Sequence, residues 1–515
     1  MGLFATNTIA PEFVGESSGV DSYEQALHTL VGLSLLQLDV TPTDVHRRPR
    51  YRLHPLLRSF ASLQLASRPE WKAIERRFML FCKKYIESHN DDTTLLGIDV
   101  DNFLAAFSSA AQSGDDRLVV DLAMLLAYHL RLLGYHTRGR WVLSQGVVAA
   151  RKLSDHRSEA KILQMLAHLC YLQDDYKEAE NHYEQSNTIW NSLGDYSEVG
   201  NTLHQLGVLA YHQSGYANAI EFYNKSLMIR TADQIREKAA TLHAVGVLAY
   251  ELEEHAEAEK LLHKSLATSR ALQDEVAIVD TLYCLGSLAY QRGSLTEAEE
   301  YYKESLAICE VLGGLLEKAS VLNGLGLVAF EQGRKEEAGQ LYEESLRIRE
   351  QTGEREGQSE TLFALGVFYH EQGAYVKASA YYDKSLELST RLGTRYARAT
   401  IFTALGRLED AQERTSLASN YYSDAVSIWT EIGHVHRLSH IHSLLEKARQ
   451  APPESSQSDM LPSSQPSDAL IALFPIIDQA ISDEEIRDLS PSPTPKTRGY
   501  LRPYPSFVAA KLRIE

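Results

Sequence analysis

The chain has 515 residues, with 51 Lys plus Arg against 69 Asp plus Glu and a net charge of −18. That length exceeds what one globular core usually serves, and that acidity argues against a general nucleic-acid binder and for basic or mixed partners. Four cysteines (Cys82, Cys170, Cys284, Cys309) without paired short spacings argue against a disulfide framework or a zinc motif, and no apolar run reaches the length of a membrane span, so a cytoplasmic protein is expected.

Met1-Gly2-Leu3-Phe4-Ala5-Thr6 fits the N-myristoylation pattern, although an apolar segment of an N-terminal domain explains it more simply. From Tyr23 an amphipathic helix is expected over Gln25 to Val31, then an extended run Ser34 to Leu38, then a polar stretch with Pro42, Arg47, Arg48, Pro49 and Arg50, then Tyr51 to Arg58. Helix, strand, loop, strand, helix is the order of a winged helix. The basic stretch His46 to Arg52 carries two readings, a wing against DNA phosphates or a solvated loop, and nucleic acid is the lesser expectation. These residues resemble the winged-helix segment of STAND-class regulatory ATPases of the NB-ARC type, whose sensor arms are often helical repeats. In that family a Met-His-Asp histidine meets the nucleotide phosphate; the matching residues here are Leu53-His54-Pro55, with the aspartate replaced. No Gly-x-x-x-x-Gly-Lys-Ser/Thr loop occurs in the chain, so no cofactor is expected on it, and an NTPase module would act in cis upstream or in trans.

All fifteen prolines lie at or before Pro69 or at or after Pro452, leaving about 380 residues without one. Interior proline costs a helix about 3 kcal/mol, so this stretch is expected to be helical throughout. Residues 66–115 read as a helical connector. Residues 116–155 read as a divergent repeat with Ala127, Gly139, Leu143 and Gly146 in register, and residues 156–434 hold seven regular copies, the first using Ala167, Tyr176, Ala179 and Tyr183. Six glycines set the period: Gly207, Gly246, Gly286, Gly326, Gly366 and Gly406, one step of 39 residues and four of 40. Twelve residues on stands Ala219, Ala258, Ala298, Ala338, Ala378 or Ala418. Four further comes Tyr223, Leu262, Tyr302, Tyr342, Tyr382 or Tyr422, and three further Ser226, Ser265, Ser305, Ser345, Ser385 or Ala425. Steps of four and three share a helical face, and a second stripe upstream (Leu203, Leu206 and their equivalents) marks another helix, so each copy is a helical hairpin. Glycine supplies the breaks at Gly194, Gly313-Gly314, Gly353, Gly393 and Gly433.

The pattern Leu-x-x-Leu-Gly, Gly-x-Tyr-x-x-Ala, Tyr-x-x-Ser-Leu, fullest at Leu362 to Leu386, resembles the tetratricopeptide repeat in its form of about forty residues. The resemblance implies an all-α, right-handed superhelix of hairpins behind a small winged-helix-like domain (1–65), with a protein or peptide held on a concave face built by the first helices. The family's fifth contact position falls on Gln164, His204, His243, Tyr283, Asn323, Phe363 and Thr403, and groove exposure is expected there. Its twelfth falls on Tyr171, Tyr211, Tyr250, Tyr290, Phe330, His370 and Asp410, which either face the groove or pack between hairpins. The candidate peptide-binding residues are therefore His204, Tyr211, His243, Tyr250, Tyr283, Tyr290, Asn323, Phe330, Phe363 and His370.

Catalysis is not expected. Gly324-Leu325-Gly326-Leu327-Val328-Ala329 spells a dinucleotide fingerprint but sits in a repeat helix, without the strand such a loop needs. His436 and His440, beside His434 and His442, have metal-compatible spacing but no evident third ligand, and read as part of a capping helix at 435–450. From 451 to 515 the composition turns to Pro, Ser and Asp, as in a disordered tail, with apolar Ala469 to Ile477 free to dock on the last repeat or in the groove.

Overall fold

The computed structural model describes residues 69–449, apart from a few turn positions, together with three short strands before them and a few isolated positions. β1 (Thr8–Ile9), β2 (Leu36–Asp39) and β3 (Arg50–Leu53) form an antiparallel sheet in the order β1-β3-β2, with Leu36 opposite Leu53 and Asp39 opposite Arg50. Gln25, Leu27, Leu30 and Val31 of the expected helix at 25–31 are helical, while the rest of it, the Met1 to Thr6 pattern, His54, Arg47, Arg48 and the tail from 451 lie outside the described residues. Beyond the sheet the described chain is all-α, and it divides into two compact units, 1–195 and 196–515.

In the first unit α1 (Trp71–Ser88), α2 (Thr93–Ile98) and α3 (Val100–Ser113) precede two hairpins, α4 (Asp116–Leu132) with α5 (His136–Lys152) and α6 (His156–Tyr171) with α7 (Tyr176–Leu193). Phe78, Cys82, Ile86, Phe103 and Phe107 fill the core beneath the opening helices. Gly194 ends α7 at φ 69°, a left-handed cap that costs glycine little.

The second unit continues the hairpins: α8 (Tyr196–His212) with α9 (Tyr216–Ile229), α10 (Ile235–Glu251) with α11 (His255–Ala271), and α12 (Glu275–Gln291) with α13 (Leu295–Leu312). After them come α14 (Leu315–Glu331) with α15 (Lys335–Thr352), α16 (Arg355–Glu371) with α17 (Tyr375–Leu392), α18 (Arg395–Asp410) with α19 (Thr415–Ile432), and α20 (Val435–Arg449). Gly353, Gly393 and Gly433 lie outside the described residues.

Each sequence column has a physical job inside its hairpin. A Cβ on Gly207 would stand 2.5 Å from Cε1 of Tyr223, so the glycine is the socket into which the second helix presses its ring. Ser226 Oγ donates to the Gly200 carbonyl (2.7 Å), and the same bond, twenty-six residues back, joins Ser186 to Ala160, Ser265 to Ala239, Ser305 to Val279 and Ser345 to Ala319. Ring and hydroxyl together fix how one helix crosses the other.

Between hairpins the register is set partly by charge. Asp155 caps α6 by accepting from Ser158 N (3.1 Å) and also receives Arg117 Nη1 of the preceding hairpin (3.0 Å). Asp274 repeats the arrangement in the second unit, capping α12 through Ala277 N (3.2 Å) and meeting Arg236 Nε (3.2 Å). The Ser158 amide and hydroxyl, with Arg117, hold the Asp155 carboxyl below the usual carboxylate range.

Candidate ligand-binding cleft

The first helices of the second unit carry the expected contact positions, and they are buried around most of their circumference: Val199 through Tyr211 on α8 form an unbroken buried run. A helix of a monolayer of hairpins would show one face to solvent. Here neighbouring first helices cover that face, through contacts such as His204 with Thr241 and Tyr211 with Glu251.

Groove exposure at the fifth position is therefore not what the structure shows. His204 is 3 % exposed, and its Nδ1 bonds the Thr241 hydroxyl (3.1 Å) of the next first helix; His243 does the same with Thr281 (3.2 Å). Each threonine hydroxyl already donates to its own helix, Thr241 to the Glu237 carbonyl (3.0 Å) and Thr281 to that of Ala277 (2.7 Å), so the imidazole Nδ1 must be the donor. Its Nε2 is then an acceptor, and in His243 it meets the Cys284 thiol at 3.8 Å. Tyr283 and Phe363 are buried, leaning on the ring column at Tyr302 and Tyr382. Asn323 is 1 % exposed, with neither its amide nitrogen nor its amide oxygen hydrogen-bonded.

The twelfth position divides, with Tyr211, Tyr250 and Tyr290 following the packing reading. Tyr211 and Tyr290 are buried and donate to Glu251 (3.4 Å) and Glu331 (3.3 Å), one repeat ahead. Tyr250 is buried among neighbouring rings, and burial pushes its phenol well above the ordinary range. Tyr171, Phe330, His370 and Asp410 are half-exposed, and His370 is kept toward its neutral form by burial and set edge-on to Tyr375.

What opens to solvent is a cleft of about 730 Å³, counting its mouth, between α8, α10 and α12 under the ends of α9 and α11. His204 and His243 line its floor beside Asp280 and Thr281. Arg230, Arg236, Glu237 and Asp274 supply its charges, Ser265 and Ser269 its hydroxyls, and exposed Ala240 stands at the edge. The Arg230 guanidinium is committed, bonding Ser226 Oγ (3.1 Å), Asn201 Oδ1 (3.1 Å) and the Gly200 carbonyl (3.2 Å). Three carboxylates against two guanidiniums leave the wall with an acidic balance, suited to amide groups and a basic side chain rather than to an anion.

Arg230 and Ser269 escaped the sequence reading, but a signal existed. Seven residues after each ring the positions run Trp190, Arg230, Ser269, Cys309, Arg349, Ser389 and Trp429, all buried. A core column that keeps its depth while changing size and charge marks where the repeats differ. The cleft sits where a small member, Ser269, leaves space beside a charged one, Arg230. Of the histidine group near the C-terminus, His440 Nε2 accepts from Arg407 (3.0 Å), while His434 and the His436 side chain lie outside the described residues.

The tetratricopeptide repeat family matches residues 158–232, 277–351 and 358–431, and a second form of the same repeat matches 239–272. No curated protein matches the chain. Among solved structures it is similar to a STAND protein with a tetratricopeptide repeat sensor from Pyrococcus horikoshii (15 % identity, TM-score 0.41, covering 87 % of this chain and 61 % of that one). It is also similar to the apo quorum sensor NprR from B. thuringiensis (16 %, 0.45, covering 64 % and 98 %) and to a Rap protein complexed with Competence and Sporulation Factor (13 %, 0.43, covering 72 % and 97 %). This chain thus spans under two thirds of the Pyrococcus protein, and likeness at this level says nothing about what it binds. Among the described residues no helix is long and apolar enough to cross a membrane.

Proposed function

Since residues 158–431 are built of tetratricopeptide repeats, we propose that this protein is a non-enzymatic interaction scaffold that holds a peptide or protein segment. The observation that carries the reading is the polar cleft at His204 and His243, which opens to solvent while most of the inner column is packed away. The ligand is an extended segment bearing a basic side chain: its amides meet the imidazole and hydroxyl groups, and its cation meets Asp280, Glu237 and Asp274.

Selection of displayed random peptides on the full chain tests this. Enriched sequences should be basic, and Ala240→Trp, which plugs the mouth from an exposed position, should abolish their binding with the fold intact. Enrichment indifferent to that substitution would overturn the assignment to this cleft. Replacing Tyr211, Tyr250 and Tyr290 together is a poor test, since three buried rings would be lost at once.

A role as sensor arm of a STAND-type regulator, with the NTPase in cis or trans, rests on Leu53-His54-Pro55; ADP binding that His54→Ala removes would support it. DNA contact is a second reading, favoured by Arg50 and Arg52 on a β3 paired antiparallel with β2, and salt-sensitive duplex binding lost on replacing both arginines would support it.

A further inference from the structure

A cluster in the first unit stands apart from the cleft. Cys170 closes α6, and Glu178 and His182, one turn apart on α7, face it across the hairpin turn. One ligand atom from each lies within 4.8 Å of the other two, and Cys170 Sγ is 3.8 Å from Glu178 Oε2. In tetrahedral zinc coordination a sulfur and an oxygen ligand stand about 3.5 Å apart, so this edge is nearly formed. The second observation is His182 Nδ1, which is sealed from solvent and has no hydrogen-bond partner. A buried imidazole nitrogen usually finds one, and a metal ion is the partner that a thiol and a carboxylate beside it would share. Spacings of eight and four residues hide the set in the sequence, because the turn between the helices brings it together.

We infer that Cys170, Glu178 and His182 bind one divalent cation of the zinc class, which clamps the α6–α7 hairpin and leaves one coordination position open. Sulfur, nitrogen and oxygen donors in one set suit zinc and cobalt rather than magnesium or calcium, which take oxygen. On binding, the Cys170 thiol releases its proton to solvent and the thiolate pair forms the metal–sulfur bond; burial, which pushes this thiol up to about 12, is offset by the ion's own charge. Arg140 competes. Its guanidinium bonds Glu178, but also Asp175 (3.2 Å) and Gln173 (3.0 Å), and those two can hold it when Glu178 turns to the metal.

The test uses the full chain stripped with a chelator and titrated with Co²⁺, followed by Zn²⁺ competition. Thiolate-to-cobalt charge-transfer absorption should saturate at one equivalent and be displaced by Zn²⁺. Cys170→Ser should abolish it, Cys309→Ser should leave it, and His182→Gln and Glu178→Gln should each weaken binding by about tenfold or more. Arg140→Gln should tighten it several-fold by removing the competing cation. Absence of the band in the folded parent, or a band that survives Cys170→Ser, overturns the site. Should Cys170→Ser lose its helical circular dichroism, the half-buried His182→Gln decides: undiminished cobalt affinity there also overturns it.

Discussion

The two helices of each hairpin in the second unit are built on different terms. The second helix is amphipathic in the ordinary way: on α17, Ala378, Tyr382 and Ser385 point inward while Val376 is 86 % exposed. The first helix is buried nearly all round, with Thr241 through Tyr250 of α10 closed off without a gap. The second helices thus make each hairpin a unit, and the first helices join the units, through bonds such as His204 to Thr241 and Tyr211 to Glu251 that step one repeat ahead. Stability is nearest-neighbour in such an array, and any opening that admits a ligand has to come at a variable position rather than along the whole inner face.

High pH should strike both tiers at once and produce the largest effect. Burial pushes the phenols of Tyr223, Tyr302, Tyr342, Tyr382 and Tyr422, and of inner Tyr250 and Tyr283, above their ordinary value near 10. The folded state keeps those protons while the unfolded chain loses them, so stability is whole below pH 10 and falls above it by about 1.4 kcal/mol per pH unit for each ring. Urea midpoints at pH 9 and pH 11 measure this, and equal values would show the rings to be accessible.

Tyr382→Ala comes next, removing a ring 1 % exposed and costing about 3–5 kcal/mol by denaturant unfolding. A smaller and sharper contrast sits in the sockets. Gly366→Ala places a Cβ 2.5 Å from rigid Tyr382 and should cost about 1–3 kcal/mol, whereas at Gly246 the neighbour is Leu262 (2.9 Å), which can turn aside, so Gly246→Ala should cost less. Equal losses would mean that the socket does not depend on the ring. Ser345→Ala should cost about 1 kcal/mol, the worth of its bond to the Ala319 carbonyl. Val376→Asp on the open face should shift the midpoint by less than about 0.5 kcal/mol, and a larger shift would show that face to be covered.

The hairpins were readable because their locks recur: Gly207 with Tyr223 and Ser226 with Gly200 leave small, ring and hydroxyl columns along the repeats, broken only at Leu262 and Ala425 among the six copies aligned on these glycines. The inner face was less readable. His204 and Tyr283 have the chemistry of a ligand-facing wall, yet packing against the next first helix and the ring column turns them into joints, and no single repeat encodes that packing. The cleft was hidden for the opposite reason, since it arises where Ser269 and Arg230 depart from uniformity and periodicity rewards only what repeats. Cys170 stands where later copies carry Ala210, Ala249, Ala289 and Ala329, and His182 where they carry Phe222, Leu261 and Tyr301, so the set occurs in one repeat and leaves no periodic trace.

The serine-to-carbonyl bond always closes within one hairpin, over a fixed span of twenty-six residues. A gene that gains or drops one forty-residue block therefore carries each clasp away complete and leaves none half-made. Recombination between copies can then slide Arg230, Ser269 or Arg349 against new neighbours, giving the lineage a supply of differently shaped recesses on unchanged framework.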